Sequence, residues 1–173
     1  MLLVAKSITG ALSIRAISLR VRTKEADMRA LVLAAMISVA AAPAMAVPAD
    51  VKASVAAKAA RSEANVKLDA LRKPVQLLNW LGLQKGDRVA DMFGGNMYWA
   101  EIFGPAIGPK GRVTIWQPQQ FYGQKVFDRL TALTTKQPNV FMRVSPFEAP
   151  NLPANSYDFM LINLDYHDVY WED

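Results

Sequence analysis

The sequence contains no cysteine and only one histidine, and these two shortages exclude several classes of function. Without thiols, the chain has no disulfide framework, no thiolate zinc site, no iron–sulfur cluster and no cysteine nucleophile. Because His167 is the single imidazole, a site of several histidines is impossible and a serine–histidine triad has one candidate base. Hydrophobic residues make up 52% and charged residues 20% of the 173 residues, which excludes general disorder and allows one domain.

The chain also lacks an excess of acidic residues, and its formal net charge is +5. Six basic and two acidic residues lie within 1–46, which leaves 14 basic and 13 acidic residues in 47–173. The positive charge is therefore concentrated at the front of the chain. Nucleic-acid binding requires a basic stripe on a folded face, so we predict no nucleic-acid partner.

Residues 28–46 have the three parts of a secretory signal peptide, namely a basic start, a short apolar run and an A-x-A motif. We predict cleavage after Ala46, an exported chain (periplasmic or secreted) and a mature protein that begins at Val47. Residues 1–27 are interpreted as an upstream extension assigned to the gene in error, with Met28 as the true start. The alternative is an alanine-rich helix that serves as an anchor. The apolar run is short for a membrane span, so membrane contact is expected only through an uncleaved leader.

Helical and strand patterns alternate along the mature chain. Helices are predicted at 49–72, 75–81, 97–107 and 122–134, and strands at 88–93, 112–116, 139–144 and 157–164. The strands are mostly apolar, as is typical of buried parallel strands. The order predicts an α/β fold with a Rossmann-like, doubly wound and mostly parallel sheet, and right-handed crossovers are expected to place helices on both faces.

The loop after the first strand is the candidate binding element. It runs from Asp91 to Tyr98 and contains Gly94 and Gly95. In such sheets, ligands bind at the carboxyl ends of the strands, and glycine lets backbone amides approach a ligand closely. The sequence therefore predicts a ligand site at this loop.

This loop, together with its lead-in at 82–89 and the turn at 108–111, resembles the first motif of class I S-adenosylmethionine-dependent methyltransferases. The chain is more similar still to a group of exported, predicted methyltransferases. Members of that group have a signal peptide, a Gly-Gly loop followed by an aromatic pair (here residues 98–99) and an Asn-x-x-Tyr-His-Asp segment (here 163–168). The resemblance covers roughly residues 50–173.

Three positions depart from the usual pattern of that family, which is an acidic residue followed by G-x-G-x-G. Phe93 occupies the first glycine position and Met97 the third, while Gly95 keeps the central one. At the end of the second strand, Gln117 stands where an acidic residue usually binds the ribose hydroxyls.

The resemblance implies S-adenosylmethionine as the cofactor. By this resemblance, Asp91 would orient the loop and interact through it with the amino-acid end of the cofactor, and Gln117 would face the ribose. The other residues implied to bind the cofactor are Gly94, Gly95, Asn96, Tyr98, Phe147 (over the adenine) and Asn163. Four structural alternatives stay open: Asp91 as a cap of the loop, the two glycines as turn residues, Gln117 as an ordinary strand end and Phe147 as a core residue.

The segment after the fourth strand is the candidate for reaction chemistry. Asp165, Tyr166 and His167 follow the apolar strand directly. Histidine takes up a proton near neutral pH, so His167 is the candidate base, with Asp165 and Tyr166 beside it. In the alternative reading, His167 and Asp168 cap a following helix and Tyr166 packs beneath it.

The resemblance also implies a seven-stranded sheet, of which four strands are present, in the spatial order third, second, first, fourth. We interpret the chain as a truncated product or a partial record, with the fourth strand left as an unpaired edge. Its expected parts are 1–27 (the extension), 28–46 (the signal peptide), 47–82 (N-terminal helices) and 83–173 (a partial methyltransferase domain). The sequence indicates neither the identity of the small-molecule substrate nor the oligomeric state.

Two other functions compete with methyl transfer. One is a non-catalytic binding or scaffold protein that kept the fold while its cofactor loop degraded. The other is a nicotinamide-dependent oxidoreductase, which is disfavoured because G-x-G-x-x-G is absent and no acidic residue closes the second strand.

Overall fold

The computed structural model describes the backbone of residues 2–6 and all of residues 46–167. The predicted signal peptide at 28–46, except for its last residue, and most of the predicted extension at 1–27 lie outside the described residues. Asp168 also lies outside them.

The described residues form one five-stranded sheet with the strand order β1-β5-β2-β3-β4. Strands β2, β3, β4 and β5 are parallel, and β1 runs antiparallel to β5. The four parallel strands have the predicted order and end within two residues of the predicted bounds. The bounds are β1 (Leu2–Lys6), β2 (Arg88–Met92), β3 (Arg112–Pro118), β4 (Val140–Ser145) and β5 (Phe159–Asn163).

Six α-helices and two short 3₁₀ turns are present among the described residues. The helices predicted at 75–81, 97–107 and 122–134 are confirmed within two residues. The bounds are α1 (Val51–Ala56), α2 (Glu63–Val66), α3 (Asp69–Arg72), α4 (Pro74–Trp80), α5 (Tyr98–Ile107) and α6 (Gln124–Thr134). The 3₁₀ turns are Lys58–Ala60 and Gln119–Phe121.

The prediction of one helix over 49–72 is wrong, because that segment divides into α1, a 3₁₀ turn, α2 and α3. The chain becomes extended at Arg61 (φ −110°, ψ 158°), whose side chain is 1% exposed and forms an ion pair with Asp69 at 2.8 Å. The next amide, of Ser62, donates a hydrogen bond to the Glu101 carboxylate. These polar partners on α3 and α5 stabilise a break that local periodicity does not reveal.

Helix α5 lies directly over the sheet, and nine of its ten residues are buried. Pro105 interrupts its hydrogen bonding, since proline has no N–H to donate to the carbonyl four residues earlier. That carbonyl belongs to Glu101, and it accepts a hydrogen bond from the Gln137 side-chain amide instead, at 3.2 Å. A side chain at Gly104 would clash with Gln137, so glycine allows this contact to form.

Within the described residues, the helices that contribute to the core all pack on one face of the sheet. Helices α1, α4, α5 and α6 cover it with apolar side chains. A smaller cluster on the other face contains strand residues and the loop 146–158 but no residue of these helices. The expectation of helices on both faces is therefore not met in this part of the chain, because the connection from β4 to β5 is a proline-containing loop rather than a helix.

The β5 edge was expected to be unpaired, but the backbone of β1 covers it. Leu2 lies opposite Asn163, and Lys6 lies opposite Phe159. An unpaired edge strand offers free backbone groups to another chain, so this pairing removes one site of association. No helix within the described residues is both long and apolar enough to span a bilayer.

A chain that begins at Val47 lacks β1 and therefore leaves the β5 edge open. We expect it to self-associate or precipitate more readily than the full chain at equal concentration. Size-exclusion chromatography with light scattering compares the two. A monodisperse Val47 chain that melts cooperatively as a monomer would contradict this expectation.

Candidate functional site

The loop between β2 and α5 adopts the backbone conformation of a glycine-rich loop even where glycine is absent. Phe93 has φ 60° and Met97 has φ 62°. These two residues occupy the first and third glycine positions of the pattern described above. A side chain in this left-handed region costs about 1–2 kcal/mol, so the surrounding contacts must hold the backbone there.

Packing against neighbouring side chains offsets that cost. The Phe93 ring lies 5.0 Å from the Trp116 ring and 5.8 Å from the Phe147 ring, measured between centroids. Met97 is 1% exposed and belongs to the main core. Phe93 and Met97 thus keep the conformation of the loop and add apolar contacts on both sides of it.

Gly94 brings the loop into close contact with Asp91. A Cβ atom on Gly94 would lie 2.5 Å from Asp91 Oδ2 and 2.8 Å from Ile115 Cγ2, so no side chain fits without displacement. Asp91 is itself 1% exposed. Its carboxylate accepts a hydrogen bond from the Ala100 amide in the first turn of α5, but Oδ2 is buried without a hydrogen-bond partner.

The surroundings of Asp91 favour its protonated form. Burial, together with a smaller effect of the nearby Asp165 carboxylate, raises its pKa to about 8. The positive charge of Arg72 and the Ala100 amide act in the opposite direction but do not outweigh burial. A cationic ligand group beside Oδ2 would stabilise the ionised form, so the site is suited to a hydrogen-bond donor with positive charge.

Gly95 makes the corresponding approach to Gln117 at the end of β3. A Cβ atom there would lie 2.5 Å from Gln117 Oε1. Gln117 is buried, and its Nε2 donates a hydrogen bond to the Phe121 carbonyl at 3.3 Å. Its Oε1 is buried without a partner. Two unpartnered acceptor oxygens, on Asp91 and Gln117, therefore lie against the adjacent glycines.

Asn96 stabilises the turn into α5. Its Oδ1 accepts the Tyr98 amide hydrogen bond at 3.0 Å, and its backbone carbonyl accepts one from Asn65 Nδ2 at 3.0 Å. The side chain of Asn96 thus holds the amide at the start of α5, while the residue as a whole is exposed.

The end of β5 lies beside this loop because β5 is the parallel neighbour of β2. Asn163 Oδ1 accepts a hydrogen bond from the Trp99 indole at 3.2 Å. Asp165 is half-buried and lies close enough to affect the pKa of Asp91. The structure thus brings Asp91, Asn163 and Asp165 to one edge of the sheet.

Tyr98 is directed away from the loop surface. It is fully buried, and its hydroxyl donates a hydrogen bond to Asp69 at 2.9 Å. Burial and this hydrogen bond raise the pKa of Tyr98 above its usual range. Burial acts to raise the pKa of Asp69 too, but hydrogen bonds from Arg61 and Tyr98 outweigh it and leave the value lowered. Tyr98 therefore anchors the N-terminal helices rather than forming a wall of the site.

Three other candidate residues lie at the surface or on the face of the sheet opposite the core helices. Phe147 packs beside Phe93 and Trp116, so it belongs to the smaller core cluster. Tyr166 packs against the same cluster, and His167 is exposed. The alternative reading, in which His167 and Asp168 cap a following helix, concerns residues from Asp168 onward that lie outside the described residues.

Arg72, at the end of α3, was not among the residues predicted from the sequence. Its guanidinium carbon lies 4.3 Å from the centroid of the Tyr98 ring, and its charge acts on Asp91. The only signal for it in the sequence is that Asp69 and Arg72, three residues apart on one helical face, directly precede the Lys73-Pro74 break.

No protein-family model matches this chain, and no curated protein matches it significantly. Among solved structures, it is similar to fibrillarin of Aeropyrum pernix in complex with natively bound S-adenosyl-L-methionine, with 21% identity over 39% of this chain and 27% of that one (TM-score 0.34). It is also similar to a SAM-dependent methyltransferase from Aquifex aeolicus, with 22% identity over 49% of this chain and 44% of that one (TM-score 0.42).

A third similar structure is a protein-L-isoaspartate O-methyltransferase, with 27% identity over 40% of this chain and 21% of that one (TM-score 0.33). The matched part of this chain spans less than half the length of each of the three proteins.

We expect Gly94→Ala to lower the free energy of unfolding by about 1–3 kcal/mol, because its Cβ would collide with Asp91 and Ile115. Chemical denaturation measures the change. Gly123→Ala is the matched control, since a Cβ on Gly123 has no atom within 4 Å. Equal stability of Gly94→Ala and the parent chain would contradict the close contact.

The raised pKa of Asp91 predicts a pH dependence of stability. The unfolded carboxyl loses its proton near pH 4 and the folded one near pH 8, so stability falls as the pH rises between about 4 and about 8. Asp91→Asn should remove this part of the fall. Denaturation curves across that pH range test it, with the exposed Asp128→Asn as control, and an unchanged slope in Asp91→Asn would refute the assignment.

Proposed function

We propose that this chain forms the cofactor-binding half of an S-adenosylmethionine-dependent methyltransferase with a class I fold. One observation carries the proposal. Two buried acceptor oxygens, Asp91 Oδ2 and Gln117 Oε1, lie without partners against Gly94 and Gly95 at the carboxyl ends of neighbouring parallel strands. Buried polar atoms without partners are costly, so a ligand that supplies donors at both places would be stabilised.

The cofactor offers donors of the required kind. Its amino-acid end carries an ammonium group, which suits the buried Asp91 carboxylate, and its ribose carries hydroxyls, which suit Gln117 Oε1. Gly94, Gly95 and Asn96 line the approach between them. These residues fit the cofactor better than a nicotinamide dinucleotide, for which the loop lacks the G-x-G-x-x-G spacing.

The segment after β5 is the proposed reaction side of the site. When bound, the cofactor supplies a methyl group made electrophilic by a sulfonium. The chain has to orient the acceptor and, where the acceptor carries a proton, remove it. We assign proton removal to His167 and orientation to Asp165 and Tyr166. The methyl acceptor is a small molecule whose identity stays open.

We also propose that the protein acts outside the cytoplasm, in the periplasm or after secretion. This proposal rests on the signal-peptide pattern at 28–46, which predicts cleavage after Ala46. Export separates the enzyme from the cytoplasmic source of its cofactor, so an extracytoplasmic supply is required.

A non-catalytic binding or scaffold protein is the second candidate. The aromatic cluster of Phe93, Trp116 and Phe147 favours it, because Phe93 replaces a glycine of the cofactor motif with a packed side chain. In that case the loop serves packing and the cofactor does not bind.

Titration calorimetry of the full chain with S-adenosylhomocysteine separates the two candidates. We expect the parent chain to bind with micromolar affinity. Gly95→Val should abolish binding, because the valine side chain would displace Gln117 and fill the space beside the loop. Gly123→Val, where a Cβ meets nothing within 4 Å, is the matched control and should bind normally. Absence of binding to the parent chain would favour the scaffold.

A further inference from the structure

The sheet face opposite the core helices carries two arginines at the amino ends of its strands. Arg88 begins β2 and Arg112 begins β3, and the two are partners in the register of these strands. Side chains alternate between the faces of a strand, so Arg88 lies on the same face as Ala90 and Met92 of the smaller core cluster. Arg112 shares that face with Trp116 for the same reason.

A cavity of about 320 Å³ lies on this face, between the sheet and the loop 146–158 that connects β4 to β5. Thr114 and Phe141, which are opposite each other on β3 and β4, line it from the sheet, and Tyr157 lines it from the loop. No acidic residue is among the described residues that line it, but three arginines are, namely Arg88, Arg112 and Arg143. A space of this size is sufficient for a small molecule.

The three arginines differ in how far their charge is compensated. Arg88 forms a paired contact with Asp158, in which Nε and one terminal nitrogen donate hydrogen bonds at 3.0 and 2.9 Å to the two carboxylate oxygens. Within the part of the chain that the structure describes, no carboxylate forms an ion pair with Arg112 or Arg143. The cavity therefore carries two positive charges that a ligand with two negative charges would neutralise.

The Phe141 ring orients the Arg112 guanidinium for binding an anion. The guanidinium carbon lies 3.7 Å from the ring centroid, and Phe141 is 40% exposed. A guanidinium that stacks on a ring keeps the N–H groups at its edge available, and these groups bind two oxygens of a phosphate or carboxylate at once. The exposed part of the ring offers an apolar contact beside that edge.

We infer that this cavity binds a small phosphate monoester, whose phosphate contacts Arg112 and Arg143 and whose apolar or aromatic body packs against Phe141 and Tyr157. A phosphate monoester carries about 1.5 to 2 negative charges near neutral pH and has three acceptor oxygens, so one group neutralises both arginines. A single carboxylate neutralises only one of them. The cavity lies at the amino ends of the strands, whereas Asp91 lies at a carboxyl end, so this inference is independent of the proposed function.

Ligand-observed NMR titration of the full chain with phenyl phosphate tests the inference. We expect phenyl phosphate to bind about tenfold more tightly than benzoate, which has the same ring and one negative charge. Arg112→Gln and Arg143→Gln should each weaken phenyl phosphate binding about tenfold or more, because each removes charged hydrogen bonds to the phosphate. Arg112→Lys keeps the charge without the planar donors and should recover part of the loss.

Arg129→Gln is the matched control, since Arg129 is an exposed arginine on α6, which packs on the other face of the sheet. It should leave binding unchanged. Arg112 and Arg143 are exposed as well, so their variants should keep the melting temperature of the parent chain.

Four results would overturn the inference. They are absence of phenyl phosphate binding to the parent chain, equal binding of benzoate, an equal loss in Arg129→Gln, and binding that Arg112→Gln and Arg143→Gln leave unchanged. Cosedimentation with vesicles that contain phosphatidic acid distinguishes a soluble ligand from a lipid headgroup. Vesicle binding without binding of phenyl phosphate would assign this face to a membrane surface and would also contradict the inference.

Discussion

The close approach of Gly94 to the Asp91 carboxylate is the contact on which the arrangement of the site depends. Because Gly94 has no side chain, the loop lies directly on the sheet, and the first turn of α5 reaches Asp91 through the Ala100 amide. This places a buried carboxylate at the start of a buried helix. The positive end of the helix and the charge of Arg72 offset part of the energetic cost of burying the carboxylate. Asp91 Oδ2 has no hydrogen-bond partner and so remains available to a ligand.

In this loop, residues other than glycine adopt a backbone conformation that usually requires glycine. Phe93 and Met97 hold positive φ angles at two positions where glycine is usual. The strain is offset by burial of Met97 in the main core and by the contacts of Phe93 with Trp116 and Phe147. Packing on the two opposite faces of the sheet thus stabilises one short, strained turn, as expected where strain serves a site.

The N-terminal helices join this site through one aromatic residue. Tyr98 binds Asp69 with its hydroxyl and contacts the guanidinium groups of Arg61 and Arg72 with its ring. The short helices α2 and α3 have too few residues to be stable alone, so this buried polar network determines their position. In this way a helix end far from the loop in sequence contributes charge to the loop.

The amino-acid sequence by itself determined the alternation of strands and helices and the place of the glycine loop, because apolar periodicity and turn residues act locally. The order of the four parallel strands was predicted from the resemblance to class I methyltransferases. That resemblance also pointed to Asp91 and Gln117, which lie near the ends of two adjacent strands. Only the tertiary structure decided where the segment 49–72 breaks, and that Tyr98 turns towards Asp69. The covered β5 edge and the position of Arg72 beside the site were decided there too. Each of these depends on partners distant in sequence, whose burial and pairing energies outweigh the local preference.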